Sequence, residues 1–356
     1  MSAADRGRIS AEIFEIATMH GSVERRAQAL LEPLAPLLRY DAAWISLLDP
    51  EHRAQRTVAI TGYSERVRRF YNGAAFMAEM ELIGLNARHR PIRAKDCPVP
   101  VADLEVWADY LEPAGFGEGL TTSLLTPDGR YLGILGSHNE SSVPPSDEVS
   151  DELHRLAPLI AHAVDPMRGI TALAGLVGDA AAGVVLTHGG RTEPLPGLPG
   201  DPLLDVDSPA LANATALVGL HSHVTFLVPC DPEGTDLARI TALTCPPQPP
   251  GHHRAVVLLS PPPDLHGLTR RELQVLGLLV DGSTNAAIAA ALNITARTTI
   301  GHIEHVMTKL DAGSRTIAAL RAQREGLYIP AGVTFGAAPA PPRSRRRSAP
   351  PTPRSR

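Results

Sequence analysis

The sequence predicts a multidomain chain: an α+β domain, a second and smaller α+β module, an all-α domain of four helices, and a basic tail without regular structure. Three observations lead there. The 356 residues exceed what one domain of ~100–200 residues uses. The formal charge changes sign along the chain, from −8 over residues 1–167 and −5 over 168–267 to +2 over 268–330 and +6 over 331–356. Proline clusters mark seams, at TCPPQPP (244–250) and SPPPD (260–264), and the run after Pro330, AGVTFGAAPAPPRSRRRSAPPTPRSR, holds too few large apolar residues to build a core. The boundaries expected are 1–167, 168–262, 263–330 and 331–356.

Composition removes several classes. Apolar residues make 44% of the chain, yet no run approaches the ~18–20 needed to span a bilayer, so collagen-like, wholly disordered and integral-membrane chains drop out and no membrane partner is expected. Cys97, Cys230 and Cys245 form no C-x-x-C pair and are odd in number, which fits reduced thiols in the cytoplasm. The opening MSAADRGRISAEIF, without an apolar stretch ahead of a small-residue cleavage site, agrees with a cytoplasmic location. Lys95 and Lys309 are the only lysines, and neither sits in G-x-x-x-x-G-K-[ST], which excludes a P-loop nucleotide motor.

Taken in order, residues 9–38 place apolar side chains at helical spacing, and AAWISLLD (42–49) and QRTVAITG (55–62) read as strands. GLTTSLL (119–125) and RYLGILGSHN (130–139) flank the turn signal Thr126-Pro127-Asp128-Gly129, and 146–164 is amphipathic at helical period. The middle module offers AGVVLTH, a helix near 208–220, then HVTFLVP, LARITALTC and HHRAVVLLS, with His188-Gly189-Gly190-Arg191 as a turn. A small antiparallel sheet follows from those runs.

Residues 268–330 carry the strongest signal. Thr269 and Glu272 form an S/T-x-x-E capping box, Val275, Leu276, Leu279 and Val280 a helical stripe, and Gly282 a stop. A short second helix begins at Thr284 and Asn285, packs through Ile288, Ala289 and Leu292, and breaks near Asn293. Thr295 caps a third helix. At 100° per residue Thr299, Ile303, Val306 and Leu310 share its inner face, while Arg297, Ile300, Gly301, Glu304 and Thr308 share the opposite one, flanked by Thr298, His305 and Lys309. Ser314 caps a fourth helix that ends near Gly326. The outer face of the third helix is the candidate for the DNA major groove, with its flank on phosphates.

Three resemblances follow from these residues. The order of helix, strands, variable helical stretch, hairpin and closing helix over 1–167 resembles a GAF-type sensory domain, and 168–262 resembles a degenerate PAS-type module. Residues 268–330 resemble the LuxR-type DNA-binding domain, on Leu268, Thr269, Arg271 and Glu272; Gly282, Thr284, Asn285, Ile288, Ala289 and Leu292; Thr298, His302, Lys309 and Leu310; and Ser314, Arg315 and Thr316. Family members commonly carry Val and then Lys after the helix-three Thr, where this chain has Thr299 and Ile300, so the usual base-contacting lysine is absent. Ile300 can meet a thymine methyl and Glu304 can accept from a cytosine amino group, or Glu304 can repel phosphate.

The resemblance implies a cytoplasmic bacterial transcription regulator that binds double-stranded DNA through Thr284, Asn285, Arg297, Thr298, Ile300, Gly301, Glu304, His305, Lys309 and Arg315. The resemblance further implies a homodimer formed through helix four, with RNA polymerase as a further partner. Control would come from a GAF-like pocket to which Trp44, Phe76, Trp107 and Phe116 contribute, for a small-molecule ligand the sequence does not name. The alternatives are a protein-interaction regulator that has lost DNA reading, and a haem- or metal-dependent sensor using His221, His223, His252 and His253, whose spacing matches no metal motif. The absence of G-x-S-x-G and of an acid/base pair points away from an enzyme, and the setting of Lys95 in Ala94-Lys95-Asp96-Cys97 away from a phosphorylated receiver. No cofactor and no metal are expected.

Overall fold

The computed structural model describes residues 3–87, 89–231, 236–331 and 333. The chain forms two compact units, the first made of residues up to Leu173 with 187–191 and 245–254, the second of 174–186, 192–244 and 255 onward. Among the described residues no helix is long and apolar enough to cross a membrane. The basic tail expected from residue 331 lies outside the described residues except for Ala331 and Val333.

In the first unit the helical spacing of 9–38 resolves into two helices, α1 (Ala3–Thr18) and α2 (Val23–Leu38). They break at Gly21-Ser22, where the Ser22 side chain accepts from Arg25 N and caps α2. Strands β1 (Ala42–Asp49) and β2 (Ala54–Thr61) follow, then α3 (Glu65–Tyr71), α4 (Ala74–Leu82), β3 (Ile92–Arg93), β4 (Glu118–Leu125), β5 (Tyr131–Asn139), α5 (Asp147–Val164) and α6 (Met167–Ala174). The sheet is antiparallel with order β2-β1-β5-β4-β3. Its hairpin turn between β4 and β5 is the one read at Thr126–Gly129: Gly129 sits at φ +84° and donates to Thr126 O at 2.8 Å.

Both faces of this sheet are covered, which is why β1 reads as a nearly continuous apolar run. Ala43, Ile45 and Leu47 face a core with Ile9, Leu30 and Ile160 from α1, α2 and α5. The alternate residues Ala42 and Trp44 face a second core with Phe70, Tyr71 and Phe76 from α3 and α4.

The second unit opens with β6 (Ala182–Thr187), β7 (Thr192–Pro194), α7 (Pro209–Val218), β8 (His223–Pro229), β9 (Leu237–Thr244) and β10 (His253–Ser260). Its five-stranded sheet has the order β7-β6-β10-β9-β8, the same succession as the first sheet. Then come α8 (Arg270–Val280), α9 (Asn285–Leu292), α10 (Ala296–Lys309) and α11 (Arg315–Glu325). The observed architecture is multidomain, with two five-stranded sheets flanked by helices and a C-terminal four-helix domain.

The helices and this sheet share one core: Phe226 and Ile240 belong to the same buried cluster as Leu273, Leu276, Ile303 and Ile329. The join is made by residues 326–330. Leu227 N, on the edge strand β8, donates to Tyr328 O at 2.8 Å, and Ile329 N donates to Leu273 O at 3.2 Å, so the segment is bonded to the sheet and to α8. Two glycines make this approach possible. Gly326 ends α11 at φ +70°, and a Cβ there would lie 2.5 Å from Thr225 Cγ2; a Cβ on Gly277 would lie 1.9 Å from Ile329 O. Replacing Gly277 with alanine is expected to push the segment off α8 and destabilise the unit by ~1–3 kcal/mol. Urea unfolding followed by circular dichroism checks this, and an unchanged midpoint counts against the strap.

Candidate nucleic-acid interface and sensory cavity

Each helix of the C-terminal domain starts at a hydroxyl. Thr269 Oγ1 accepts from Glu272 N at 3.4 Å while Glu272 Oε2 accepts from Thr269 N at 2.7 Å, closing the capping box. Thr284 caps α9, whose end falls at Asn293 with φ 51°. Thr295 caps α10 by accepting from Thr298 N at 3.1 Å, and Ser314 caps α11.

These caps fix the rotation of α10. Thr299, Ile303, Val306 and Leu310 are buried, whereas Arg297, Thr298, Ile300, Glu304, His305 and Thr308 are exposed and Gly301 is partly so. Ile300 keeps 47% of its surface open to solvent, an unusual exposure for isoleucine on an ordered helix. Nothing lies within 4 Å of where a Gly301 Cβ would stand, so packing inside the domain does not explain that glycine.

The residues singled out in the sequence fall into two groups. Arg297, Thr298, Ile300, Gly301 and Glu304 lie together on the open face of α10, with exposed His305 beside them. The others are engaged within the domain. Lys309 Nζ donates to Glu272 Oε2 and to Gly267 O, both at 2.8 Å. Arg315 donates to Asn285 Oδ1 at 3.0 Å and to Ser283 O at 2.6 Å, tying the start of α11 to the start of α9, which Thr284 caps. Sequence reasoning missed two further ties: Arg271 donates to Leu292 O, and Arg321 to Leu310 O and, at 2.7 Å, to Asp311 O.

Glu272 is the hub of this framework. Burial pushes its carboxyl up, but hydrogen bonds from Lys309 and Thr269 together with the Lys309 charge outweigh burial and leave it below the usual carboxylate range. The His305 ring stands 3.8 Å from the second carboxylate oxygen.

The first unit holds a cavity of about 70 Å³, several times the room one water needs. Trp44, Phe76 and Trp107, expected from the sequence, line it, as do Tyr71 and His138. Phe116 instead packs beside Tyr63 and His138, with ring centroids 5.5 and 5.9 Å away. His138 Nδ1 lies 2.5 Å from Tyr63 Oη, and burial lowers the imidazole to about 3, so the ring is neutral at physiological pH.

An α9–turn–α10 pair with an open second helix, buttressed by α8 and α11, defines a helix-turn-helix DNA-binding domain. The family model described as "Bacterial regulatory proteins, luxR family" matches residues 266–322, and that domain is of the LuxR family of DNA-binding transcriptional regulators. The transcriptional regulatory protein LiaR of Bacillus subtilis is 45% identical over 60 residues, which is 17% of this chain and 28% of LiaR. DegU of Brevibacillus brevis is 39% identical over 62 residues, 17% of this chain and 26% of DegU. The chain thus spans about a quarter of these relatives. Among solved structures, the GAF domain of a phosphoenolpyruvate-protein phosphotransferase from Coxiella burnetii aligns at 19% identity and TM-score 0.36, over 50% of this chain and 99% of that one. Escherichia coli SdiA aligns at 16% identity and TM-score 0.34, over 91% of this chain and 98% of that one.

Two pH windows follow. The stability that Glu272 supplies is complete above its unfolded value of about 4.3 and is lost as pH falls through its lower folded value; Glu272→Gln is expected to cost roughly 1–3 kcal/mol at neutral pH and to remove that acid loss. Unfolded His138 takes up a proton below about pH 6.5 and the folded residue does not, so the first unit loses stability as pH falls from there, and His138→Gln flattens that slope. Urea titrations across pH separate the two. Gly301→Ala is expected to raise stability by ~1 kcal/mol, read by thermal unfolding.

Proposed function

We propose that this chain is a cytoplasmic, non-enzymatic transcription regulator that reads a DNA sequence with α10 and is controlled by its first unit through the aromatic cavity. The observation that carries the reading is the outer face of α10, where Arg297, Thr298, Ile300, Gly301 and Glu304 stand clear of the domain core. Arg297 supplies a guanidinium for a guanine edge or a phosphate, Ile300 an apolar contact for a thymine methyl, and Glu304 an acceptor for a cytosine amino group. Gly301 lets the helix backbone approach the groove floor. Thr284, Asn285, Lys309 and Arg315 serve as positioning groups that also offer donors to phosphate at the domain edge.

A homodimer suits the exposed Ile317 and Leu320 on α11, and two copies of α10 would then meet half-sites about one DNA turn apart. RNA polymerase is the further partner of such a regulator. The domain division proposed is 1–167, 168–262, 263–330 and a basic tail. A second reading, a regulator that binds protein in place of DNA, is favoured by the one acidic group on the open face, Glu304, and by the engagement of Lys309 with Glu272.

Selection of random duplex DNA by the full chain and by a chain ending at Pro330 decides between them. The expected result is one enriched motif that survives removal of the tail, with Arg297→Ala, Ile300→Ala and Glu304→Ala each costing ~1–3 kcal/mol at their own base positions. Affinity that collapses with salt and vanishes with the tail, without a motif, would overturn sequence reading and leave the protein-binding alternative.

A further inference from the structure

We infer that the cavity of the first unit takes a small uncharged molecule bearing a hydrogen-bond acceptor, such as a short-chain ketone, which the Nε2–H of His138 meets. The inference rests on the sensory reading of that unit and names the chemistry of its ligand.

The walls set size and apolar character. Trp44, Phe76, Leu104, Trp107 and Leu111 surround a volume of about 70 Å³. That is roughly half the ~150 Å³ that holds benzene in an engineered protein core, so a molecule of about five non-hydrogen atoms fits.

His138 is the polar group that opens onto this space. The residue lines the cavity and is 8% exposed. Among the described residues its imidazole makes one hydrogen bond, through Nδ1 to Tyr63 Oη at 2.5 Å, and Nε2 makes none. Gly119, the cross-strand partner of His138 on β4, also lines the cavity and leaves the Nε2 edge uncovered, since a Cβ there would lie 2.8 Å from Nε2. Trp44 Nε1, packed over Gly136, and Tyr71 Oη are sealed from water-sized space; His138 Nε2 is not.

The sealed groups fix which imidazole nitrogen carries the proton. The Tyr71 hydroxyl interacts with the Trp44 indole and with the Tyr63 hydroxyl, and burial keeps both phenols protonated. An indole N–H only donates, so the chain runs one way: Trp44 to Tyr71, Tyr71 to Tyr63, and Tyr63 to His138 Nδ1. Run in reverse, it would aim the Tyr71 O–H at the indole N–H, donor against donor. A neutral imidazole that accepts at Nδ1 carries its hydrogen on Nε2. The cavity therefore meets a donor, and its ligand supplies the acceptor. Thr121, which lines the same space, has a hydroxyl that can donate or accept and does not narrow the class.

Charge sets the rest. Burial holds His138 neutral, and the guanidinium of Arg93, also at the cavity, is already engaged by Asp96 and, at 2.6 Å, by Asp147. An anion would enter without a free counter-charge, which burial penalises heavily. A cation would find aromatic faces but would meet the Nε2–H as donor against donor.

Butanone, its hydrocarbon isostere 2-methyl-1-butene, propanoate and sec-butylammonium are probes of one size, added to the full chain at equal concentration. Both tryptophans of the sequence line the cavity, so their indole N–H signals in a nitrogen–proton correlation spectrum report occupancy, and Trp44→Phe assigns them. A long-range nitrogen–proton spectrum reads the His138 tautomer, assigned with His138→Gln or His138→Phe. The free protein is expected to carry the proton on Nε2. Butanone is expected to shift both indole signals saturably and to move the Nε2–H signal to lower field. The alkene is expected to bind roughly 5-fold more weakly, the fold-change of about one buried hydrogen bond, and the charged probes to cause no shift. Tyr63→Phe, which no longer holds the tautomer, and His138→Phe should each weaken butanone and leave the alkene unchanged, whereas a loss of packing would weaken both. A proton on Nδ1, the alkene binding as tightly as butanone, a charged probe binding as tightly as either, or no shift with any probe would overturn the inference. Butanone binding as expected without altering DNA retention would uphold the ligand class while overturning control by the cavity.

Discussion

The geometry of the C-terminal domain depends on one buried carboxylate. Glu272 closes the first turn of α8 and, through Lys309, holds the last turn of α10, two points 37 residues apart in sequence. The Lys309 ammonium also bonds Gly267 O, just ahead of the cap, so three segments meet at a single pair of charges. Breaking such a pair leaves an uncompensated charge in a dry place, and this asymmetry gives it more influence on helix placement than its net contribution to stability suggests. Arg315 repeats the device at the other end, joining α11 to α9 through Asn285 and Ser283. With both ends pinned, the exposed stripe of α10 is left with no structural task.

In the first unit the organising constraint is a sheet covered on both faces. One face is filled by aliphatic side chains of three helices, the other by aromatic rings that enclose a cavity. Trp44 belongs to the aromatic side because alternate residues of a strand point to opposite faces. Gly136, its cross-strand neighbour on β5, leaves the room its indole occupies: a Cβ there would lie 2.6 Å from Nε1.

Local signals were legible and tertiary ones were not. Each helix start in the C-terminal domain depends on a hydroxyl that bonds an amide three residues on, so Thr269, Thr284, Thr295 and Ser314 were readable, and the rotation of α10 followed from its period. The aromatic residues Trp44, Phe76 and Trp107 were found because large rings stand out; Tyr71 was not, since it ends a short helix. The edge strands β3 and β7 span two and three residues, too few to show a period. Lys309 shows the limit most clearly. Its position on the flank of α10 suggested phosphate, and nothing local reveals that its ammonium meets a carboxylate from the preceding helices.

The strap of residues 326–330 bears on how this DNA-binding domain can be moved about. Treating the four helices as a cassette would mean cutting them out and joining them to another sensor. Here Tyr328 supplies a carbonyl to the edge strand of the neighbouring sheet, and the side chains beside it complete a core that belongs to both parts. A cassette excised just ahead of Leu268 would carry away the residues that cover β8, leaving an unpaired strand edge on one fragment and bare leucine and isoleucine surface on the other. Both fragments would be sticky. Any recombination that borrows the four helices must therefore bring a replacement for that edge.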